Sequence, residues 1–193
     1  MISNARRAKL FILFSGFFAA TLSLISCQKN NNFVLTADKK PFFVKGAGGD
    51  SHLDVLRQCG GNTIRTWDTV NLQQILDSAA HQHLKVMVGI YIVDPLKDDS
   101  FYEDTVQVNS QYRSIKKIID TYKNHPALLM WCVGNELNLP NSPFAFDFYN
   151  AYNGIIDMIH ENDISHPVTT AIWNFSRIAI INLRLRTNVD ILS

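Results

Sequence analysis

Glu136 is the residue whose place in this 193-residue sequence most suggests chemistry. The chain holds three glutamates, and the other two, Glu103 and Glu161, stand among polar residues typical of solvated surface. Glu136 instead follows the apolar run 128–134 and Asn135, which predicts the carboxyl end of a buried strand. A carboxylic acid beside Trp131 and other apolar side chains suits a general acid. The alternative is a carboxylate that only caps the next loop.

The elements that would position Glu136 alternate between two patterns along the chain. Short apolar runs predict strands at 42–45, 63–67, 84–93, 127–133, 168–172 and 189–192. Apolar residues at helical spacing predict helices at 52–58, 71–81, 111–122, 144–159 and 175–186. Asn71 has the residue type of a helix cap, and the polar stretch 94–110 reads as a long loop.

This alternation predicts a parallel sheet with helical crossovers, either a doubly wound open sheet or a closed eightfold barrel. A nucleotide-binding open sheet would carry a glycine-rich phosphate loop after its first strand, but residues 46–49 lack that spacing and Asp50 follows them. The barrel is therefore favoured. Eight βα units take about 250 residues. Residues 41–193 correspond to five units and a sixth strand, so we expect a (β/α)8 TIM barrel truncated at its C-terminal side after about strand six.

The first 27 residues have the pattern of an export signal. Residues 1–9 are basic, residues 10–24 are apolar and uncharged, and small residues precede Cys27. The alternative is an uncleaved membrane anchor, although the apolar stretch is short for a span of about 20 residues. Residues 24–27 resemble the lipobox of bacterial lipoproteins, which implies lipidation of Cys27 and a membrane-anchored protein of the bacterial cell envelope. The polar residues 28–40 would then be a tether.

Composition excludes several other classes of function. The formal net charge is +1, whereas nucleic-acid binders usually carry a strong basic excess. Three cysteines do not make a disulfide framework. The six histidines show no spacing typical of a zinc site, so neither a metal nor another cofactor is expected.

Three segments carry a resemblance to known enzymes. Residues 124–137, which end in Asn135-Glu136-Leu137, resemble the fourth-strand motif of barrel-type retaining glycoside hydrolases. The similarity is closest to the catalytic domain of glycoside hydrolase family two, and residues 42–46 and 61–67 resemble that family's first and second strands. The same segments are similar to β-1,3-glucanosyltransferases. This resemblance implies a carbohydrate hydrolase acting on β-linked oligosaccharides or polysaccharides.

The resemblance also implies roles for individual residues. Glu136 would be the acid/base, and Asn135 would hydrogen-bond a sugar hydroxyl beside the reacting carbon. Arg65 would hold the nucleophilic carboxylate ionised, the alternative being a surface ion pair. Three aromatic residues follow predicted strands and could stack on sugar rings or simply pack in the core: Trp67, Tyr91 and Trp173. Asp68 and Asn138 are further candidates for binding sugar hydroxyls.

The second carboxylate of a retaining mechanism has no candidate in this sequence. Such enzymes hold two carboxylates about 5–5.5 Å apart. The family places its nucleophilic glutamate on strand seven, and this chain reaches strand six. We therefore expect the nucleophile to lie beyond the C-terminus, so that this chain alone hydrolyses little. The alternatives are a transglycosylase that uses the same carboxylates and a catalytically inactive glycan-binding surface lipoprotein.

Overall fold

The computed structural model describes residues 35–98, 100–137, 145–172 and 176–193. Its centre is an open, curled sheet of six parallel strands that are neighbours in chain order. These strands are β3 (Gly46–Gly48), β4 (Thr63–Arg65), β5 (Lys85–Ile90), β6 (Leu128–Asn135), β7 (Val168–Ala171) and β8 (Ile191–Leu192). This is the arrangement of five consecutive βα units and a sixth strand of a (β/α)8 barrel, and it confirms the fold expected from the sequence.

Five helices accompany the sheet: α1 (Leu53–Gln58), α2 (Leu72–His81), α3 (Thr105–Tyr122), α4 (Phe146–Asn162) and α5 (Arg177–Arg186). The apolar face predicted for α2 is the buried one, formed by Leu72, Ile75, Leu76 and Ala79. Asn71 does precede α2, but its backbone is left-handed and its side chain makes no capping hydrogen bond. None of the helices in the described ranges is long and apolar enough to cross a membrane.

The first strand of the sheet lies later in the chain than the sequence predicted. Residues 42–45 lie outside the strands; the Asn62 side chain accepts from Lys45 N (2.8 Å) and donates to the Phe43 carbonyl (2.8 Å), and Asn62 N donates to the Lys45 carbonyl (2.7 Å). The pairing strand is β3, where a Cβ at Gly46 would come within 2.5 Å of the Thr63 carbonyl oxygen. Glycine therefore allows the close approach of β3 to β4.

A short hairpin forms where the sequence predicted a tether. Strands β1 (Thr36–Ala37) and β2 (Lys40–Pro41) pair antiparallel, so the end of the 28–40 segment is structured. Asp38 and Lys39, between the two strands, both have positive φ, as the tight turns of hairpins require. Lys85, at the amino end of β5, donates to Asp38 (3.2 Å) and connects the hairpin to the sheet.

The predicted loop 94–110 is shorter than the sequence suggested. A 3-10 turn occupies Ser100–Glu103, and α3 begins at Thr105. Asp104 caps α3 by accepting from Val106 N (2.8 Å) and Gln107 N (3.2 Å). Its spacing from Gln107 is that of a capping box, a signal that identifies the helix start and that the apolar periodicity alone did not detect.

Buried polar contacts connect the strands to the outer helices. The fully buried Trp131 donates its indole N–H to Asp163 (2.8 Å), the residue that follows α4. His166 Nδ1–H donates to the same carboxylate (2.9 Å). At the edge of the sheet, Asp190 accepts from Val168 N (2.8 Å) and from His160 Nε2 (2.9 Å). These contacts fix β6, β7 and β8 relative to α4.

Candidate active site

Two of the predicted site residues meet at the carboxyl ends of their strands. Arg65 ends β4, and its Nη2 donates to the side-chain carbonyl of Asn135, at the end of β6 (2.6 Å). These residues are 70 positions apart in the chain, and β5 lies between their strands. Side chains at this end of a parallel barrel form the active site in barrel enzymes. The side chains of Arg65 and Asn135 are therefore in contact at the carboxyl end of the sheet.

A bulge at the end of β6 decides which side chains face Arg65. The register between β6 and β7 shifts between Cys132 and Asn135, and Gly134 adopts a φ of 80°. Strict alternation would place Cys132 and Asn135 on opposite faces of the sheet. The bulge instead brings both of them to Arg65, whose charge lies close enough to the Cys132 thiol to act on its pKa. The alternation of a regular strand therefore does not hold beyond Gly134.

Glu136 lies directly after this bulge. Its backbone has a φ of 50°, a left-handed conformation that is uncommon for a residue with a side chain. Its N–H donates to the Ala171 carbonyl at the end of β7 (3.1 Å), which fixes the main chain there. The side chain is exposed. Trp131, its expected apolar neighbour, is completely buried and donates a hydrogen bond to Asp163. Trp131 therefore does not cover the exposed side chain of Glu136.

The hydrogen bonds of the Arg65 guanidinium are only partly satisfied by the described residues around it. Its Nε is buried and has no hydrogen-bond partner in the described part of the chain. Beside it, burial raises the pKa of the Cys132 thiol, and the nearby Arg65 charge only partly opposes this effect. The neighbouring sulfur thus remains a neutral thiol near pH 7 and does not neutralise the guanidinium.

Trp67 is held near the end of β4 by two glycines. Its side chain is 50% exposed. A Cβ at Gly48 would lie 3.0 Å from Cζ2 of the ring, and one at Gly89 would lie 2.6 Å from the Trp67 carbonyl carbon. The buried Thr66 hydroxyl also accepts from Gly89 N (2.9 Å). The main chain of Trp67 is therefore packed against β5, while half of the side-chain surface is available to a ligand. Sequence reasoning did not identify Gly89 as a support of this site.

Tyr91 follows β5 and is 68% exposed, so it does not belong to the core. The loop after it is organised by Tyr102, whose hydroxyl donates to the Val93 carbonyl. Burial, with a smaller effect from the nearby Asp94, raises the pKa of the Tyr102 hydroxyl. The Tyr102 ring also packs edge to face against the ring of Phe148 in α4, with 5.0 Å between the two ring centroids. This packing fixes the loop that carries Tyr91.

Three predicted site residues lie outside the described part of the chain: Cys27, Asn138 and Trp173. The structural description therefore covers Arg65, Trp67, Asp68, Tyr91, Asn135 and Glu136; Asp68 is exposed, and its Oδ1 accepts from Val70 N (2.8 Å). Within the described ranges, no group of three histidine, cysteine, aspartate or glutamate side chains could hold a metal ion.

Solved structures with the same fold include glycosidases of several kinds. The β-glucuronidase 2 of Bacteroides uniformis aligns with a TM-score of 0.62 and 16% identity over 79% of this chain and 20% of its own. The β-D-glucuronidase of Dictyoglomus thermophilum aligns with a TM-score of 0.59 and 18% identity over 79% of this chain and 29% of its own. The β-1,4-D-mannanase of Cryptopygus antarcticus aligns with a TM-score of 0.53 and 19% identity over 63% of this chain and 48% of its own. The chain thus spans from about a fifth to about a half of these proteins.

The family comparison is more specific than the likeness in fold. A search among curated proteins found no match. Residues 53–183 match the family model described as glycosyl hydrolases family 2, TIM barrel domain. That range contains Arg65, Asn135 and Glu136 and more than half of the chain. The chain therefore belongs to the TIM-barrel domain family of the family 2 glycosyl hydrolases.

Proposed function

We propose that this chain provides the acid/base half of a retaining glycoside hydrolase acting on β-linked sugars. The observation that carries the proposal is the Arg65–Asn135 pair beside Glu136 at the carboxyl end of the sheet, within a glycosyl hydrolase family 2 domain. Glu136 is the acid/base of this proposal, and Asn135 binds a hydroxyl of the sugar that reacts.

The proposed reaction has two steps. In the first, the Glu136 carboxylic acid protonates the leaving glycosidic oxygen while a second carboxylate attacks the anomeric carbon and forms a covalent glycosyl intermediate. In the second, the Glu136 carboxylate takes a proton from water, and that water releases the sugar from the intermediate. If a sugar hydroxyl replaces the water, the same two carboxylates perform transglycosylation. The second carboxylate of this proposal comes from outside the described residues.

The unpartnered donor of Arg65 supports this assignment. A buried guanidinium N–H without an acceptor is costly, since charged groups pay a large desolvation penalty. A carboxylate placed against Arg65 would accept a charge-assisted hydrogen bond and be held ionised, as a nucleophile must be. Arg65 is thus a positioning residue for the second carboxylate of this proposal.

The test is turnover of aryl β-glycosides by the full 193-residue chain and by Glu136→Gln, both with added sodium formate, an external carboxylate that can attack the anomeric carbon in place of the second carboxylate. Removing a general acid/base typically lowers the rate about 10²–10⁴-fold. Glu161→Gln is the matched control, because Glu161 is an exposed residue in the last turn of α4. We expect loss of turnover in Glu136→Gln alone. Equal turnover in all three proteins would overturn the assignment of Glu136.

A second candidate function is glycan binding without hydrolysis. The observation in its favour is the exposure of Trp67 (50%) and Tyr91 (68%) at neighbouring strand ends, since exposed aromatic rings can stack on sugar faces. In that case Glu136→Gln would bind oligosaccharides as tightly as the original chain, neither protein would turn them over, and Trp67→Ala would weaken binding.

We also propose export of the chain and anchorage to the bacterial envelope through lipidated Cys27. The basic residues 1–9, the apolar stretch 10–24 and the lipobox-like residues 24–27 support this proposal. Two acyl chains are sufficient for stable anchoring, at about 0.8 kcal/mol per buried methylene. Labelling of cells with a fatty-acid analogue should mark the chain and fail to mark Cys27→Ala. Labelling of both would contradict the proposal.

A further inference from the structure

We propose that a cavity at the amino end of the sheet binds the phosphate group of a small phosphate ester. The cavity has a volume of about 550 Å³. This volume lies within the range of about 300–1,000 Å³ that is usual for small-ligand sites. The cavity is separate from the candidate active site, so this inference goes beyond the proposed function and does not depend on it.

Four segments form the walls of this cavity. They are residues 36–39 of the hairpin, Lys85 at the start of β5, residues 123–126 before β6 and residues 162–166 before β7. All four lie where strands begin, whereas Arg65 and Asn135 lie where β4 and β6 end. Because β6 spans eight residues and rises about 3.3 Å per residue, the cavity and Asn135 are about 20 Å apart along the strand.

The charged side chains that line the cavity are mainly cationic. Among the described residues, its lining holds three lysines and two carboxylates: Lys39, Lys85, Lys123, Asp38 and Asp163. A concave surface with an excess of one sign of charge concentrates ligands of the opposite sign. The lining therefore favours an anion.

Neither carboxylate cancels this charge effectively. The Asp163 side chain is only 3% exposed, and its oxygens already accept from Trp131, His166 and Ser165 N. Asp38 pairs with Lys85, but its side chain is 81% exposed. An ion pair with so exposed a partner is strongly screened by water and contributes little.

Lys85 and Lys123 are the two lysines placed to hold the anion. Their side chains are only 20% and 29% exposed, so both charges are partly removed from water. Lys85 Nζ donates to Asp38 (3.2 Å) and to the Pro126 carbonyl (2.9 Å), which leaves one of its three donors available. Lys123 makes one long contact, 3.4 Å to Asp120, within the described part of the chain. The contact with Pro126 places Lys85 against the segment that begins at Lys123.

The residue types favour a phosphate over a carboxylate. Lysine binds phosphate as a compact point charge, whereas planar carboxylates are typically held by the two-pronged guanidinium of arginine. The described lining contains no arginine. It also includes the side chains of Asn124 and Ser165, which can hydrogen-bond the alcohol part of an ester.

A phosphate ester reaches such a site either as a soluble metabolite or as the headgroup of a lipid. The experiment distinguishes the two sources with probes that share one headgroup. Calorimetry measures the binding of glycerol 3-phosphate to the full chain, with glycerol as the uncharged control. Sedimentation with phosphatidylcholine vesicles, with and without phosphatidate, presents the same glycerol phosphate on a membrane. We expect glycerol 3-phosphate to bind and glycerol not to bind.

Three lysine variants test the named side chains. Lys123→Gln and Lys85→Met should each weaken phosphate binding about tenfold, because each removes a hydrogen bond to a charged group. Lys117→Gln is the matched control, because it removes the same charge from an exposed residue of α3 that does not line the cavity. It should leave binding unchanged. Lys85 also holds the hairpin, so Lys123→Gln decides the result if urea unfolding shows that Lys85→Met is not folded.

Binding that Lys123→Gln weakens and Lys117→Gln does not supports the proposal. With that pattern, retention on phosphatidate vesicles identifies a lipid headgroup, and binding of glycerol 3-phosphate alone identifies a soluble ester. Failure of both probes to bind, or equal weakening by Lys117→Gln and Lys123→Gln, overturns the proposal. Arg65→Met tests the other end of the sheet. Loss of binding in that variant alone would place the anion at Arg65 and overturn the proposal as well.

Discussion

The guanidinium of Arg65 occupies the centre of the candidate site. One of its nitrogens donates to Asn135, another is buried without a partner among the described residues, and a neutral thiol lies beside it. A cation in such surroundings is costly unless a carboxylate completes its contacts. In the proposed mechanism, this is the place of the second carboxylate.

Gly89 is the residue whose replacement should most directly displace Trp67. A Cβ at this position would lie 2.4 Å from the Thr66 carbonyl oxygen and 2.6 Å from the Trp67 carbonyl carbon, and these backbone atoms cannot move aside easily. We expect Gly89→Ala to lower the free energy of unfolding by about 1–3 kcal/mol and to weaken aryl-glycoside binding. Urea denaturation and calorimetry measure the two effects.

Gly154→Ala is the matched control for that variant. Gly154 lies within α4, and a Cβ there would meet no atom within 4 Å. Alanine should stabilise the helix by about 0.5–1 kcal/mol and leave binding unchanged. A Gly89→Ala protein as stable as the Gly154→Ala protein would contradict the described packing of Trp67.

The identities of the candidate residues could be predicted from the sequence, whereas part of their geometry could not. The apolar run before Asn135 and Glu136 places both at a strand end, and the structure agrees. Simple alternation fails at Gly134, because a positive φ and a register shift turn Asn135 toward Arg65. Trp131 was expected beside Glu136, but its indole N–H needs a buried acceptor and finds one in Asp163.

At the scale of elements, periodicity alone located the helices and strands approximately. The burial of Leu72, Ile75, Leu76 and Ala79 in α2 follows directly from helical spacing. The start of α3 depends instead on the cap formed by Asp104. The position of β3 depends on the side chain of Asn62, a contact across 17 and 19 residues that local pattern does not contain.

The Trp131–Asp163–His166 cluster should make stability depend on pH. Burial, the largest single effect, tends to raise the pKa of Asp163, but hydrogen bonds from His166 and Trp131 outweigh it together, and the pKa is lowered. A carboxyl whose pKa is lower in the folded state contributes stability above its unfolded pKa, near 4. That contribution is lost as the pH falls toward the folded pKa.

Two variants measure this contribution. Asp163→Ala leaves the buried indole N–H of Trp131 unpaired and should lower the free energy of unfolding by about 1–3 kcal/mol at pH 7. At pH 7 the original chain should have a higher free energy of unfolding than Asp163→Asn. This difference should be smaller when urea unfolding is repeated at pH 3. A difference in the free energy of unfolding that does not change with pH would contradict the role given to the carboxylate.

At the scale of the whole molecule, the described part of the chain exposes apolar surface at one side of the sheet. On α5, the helix before the last strand, Ile178 (67% exposed), Ile181 (46%) and Leu185 (78%) are spaced three and four residues apart and so share a face. The opposite face holds the buried Leu183. Exposed apolar stripes of this kind promote association.

We therefore expect the 193-residue chain to self-associate as its concentration rises. Replacing Ile178 and Leu185 together by glutamate should lower the weight-average mass in sedimentation equilibrium. The free energy of unfolding should change by no more than about 0.5 kcal/mol, because both side chains are exposed. Identical masses for the two proteins across the concentration range would contradict this prediction.

The left-handed backbone of Glu136 has an evolutionary consequence. Residues other than glycine and asparagine pay about 1–2 kcal/mol for this conformation. Substitution by glycine would thus remove the carboxylate and relieve the main chain in a single event. Selection for stability alone would favour that loss, whereas selection for the proposed acid/base role of the carboxylate would oppose it. The amino acid found at this position in descendants of the gene would therefore record whether the proposed chemistry is in use.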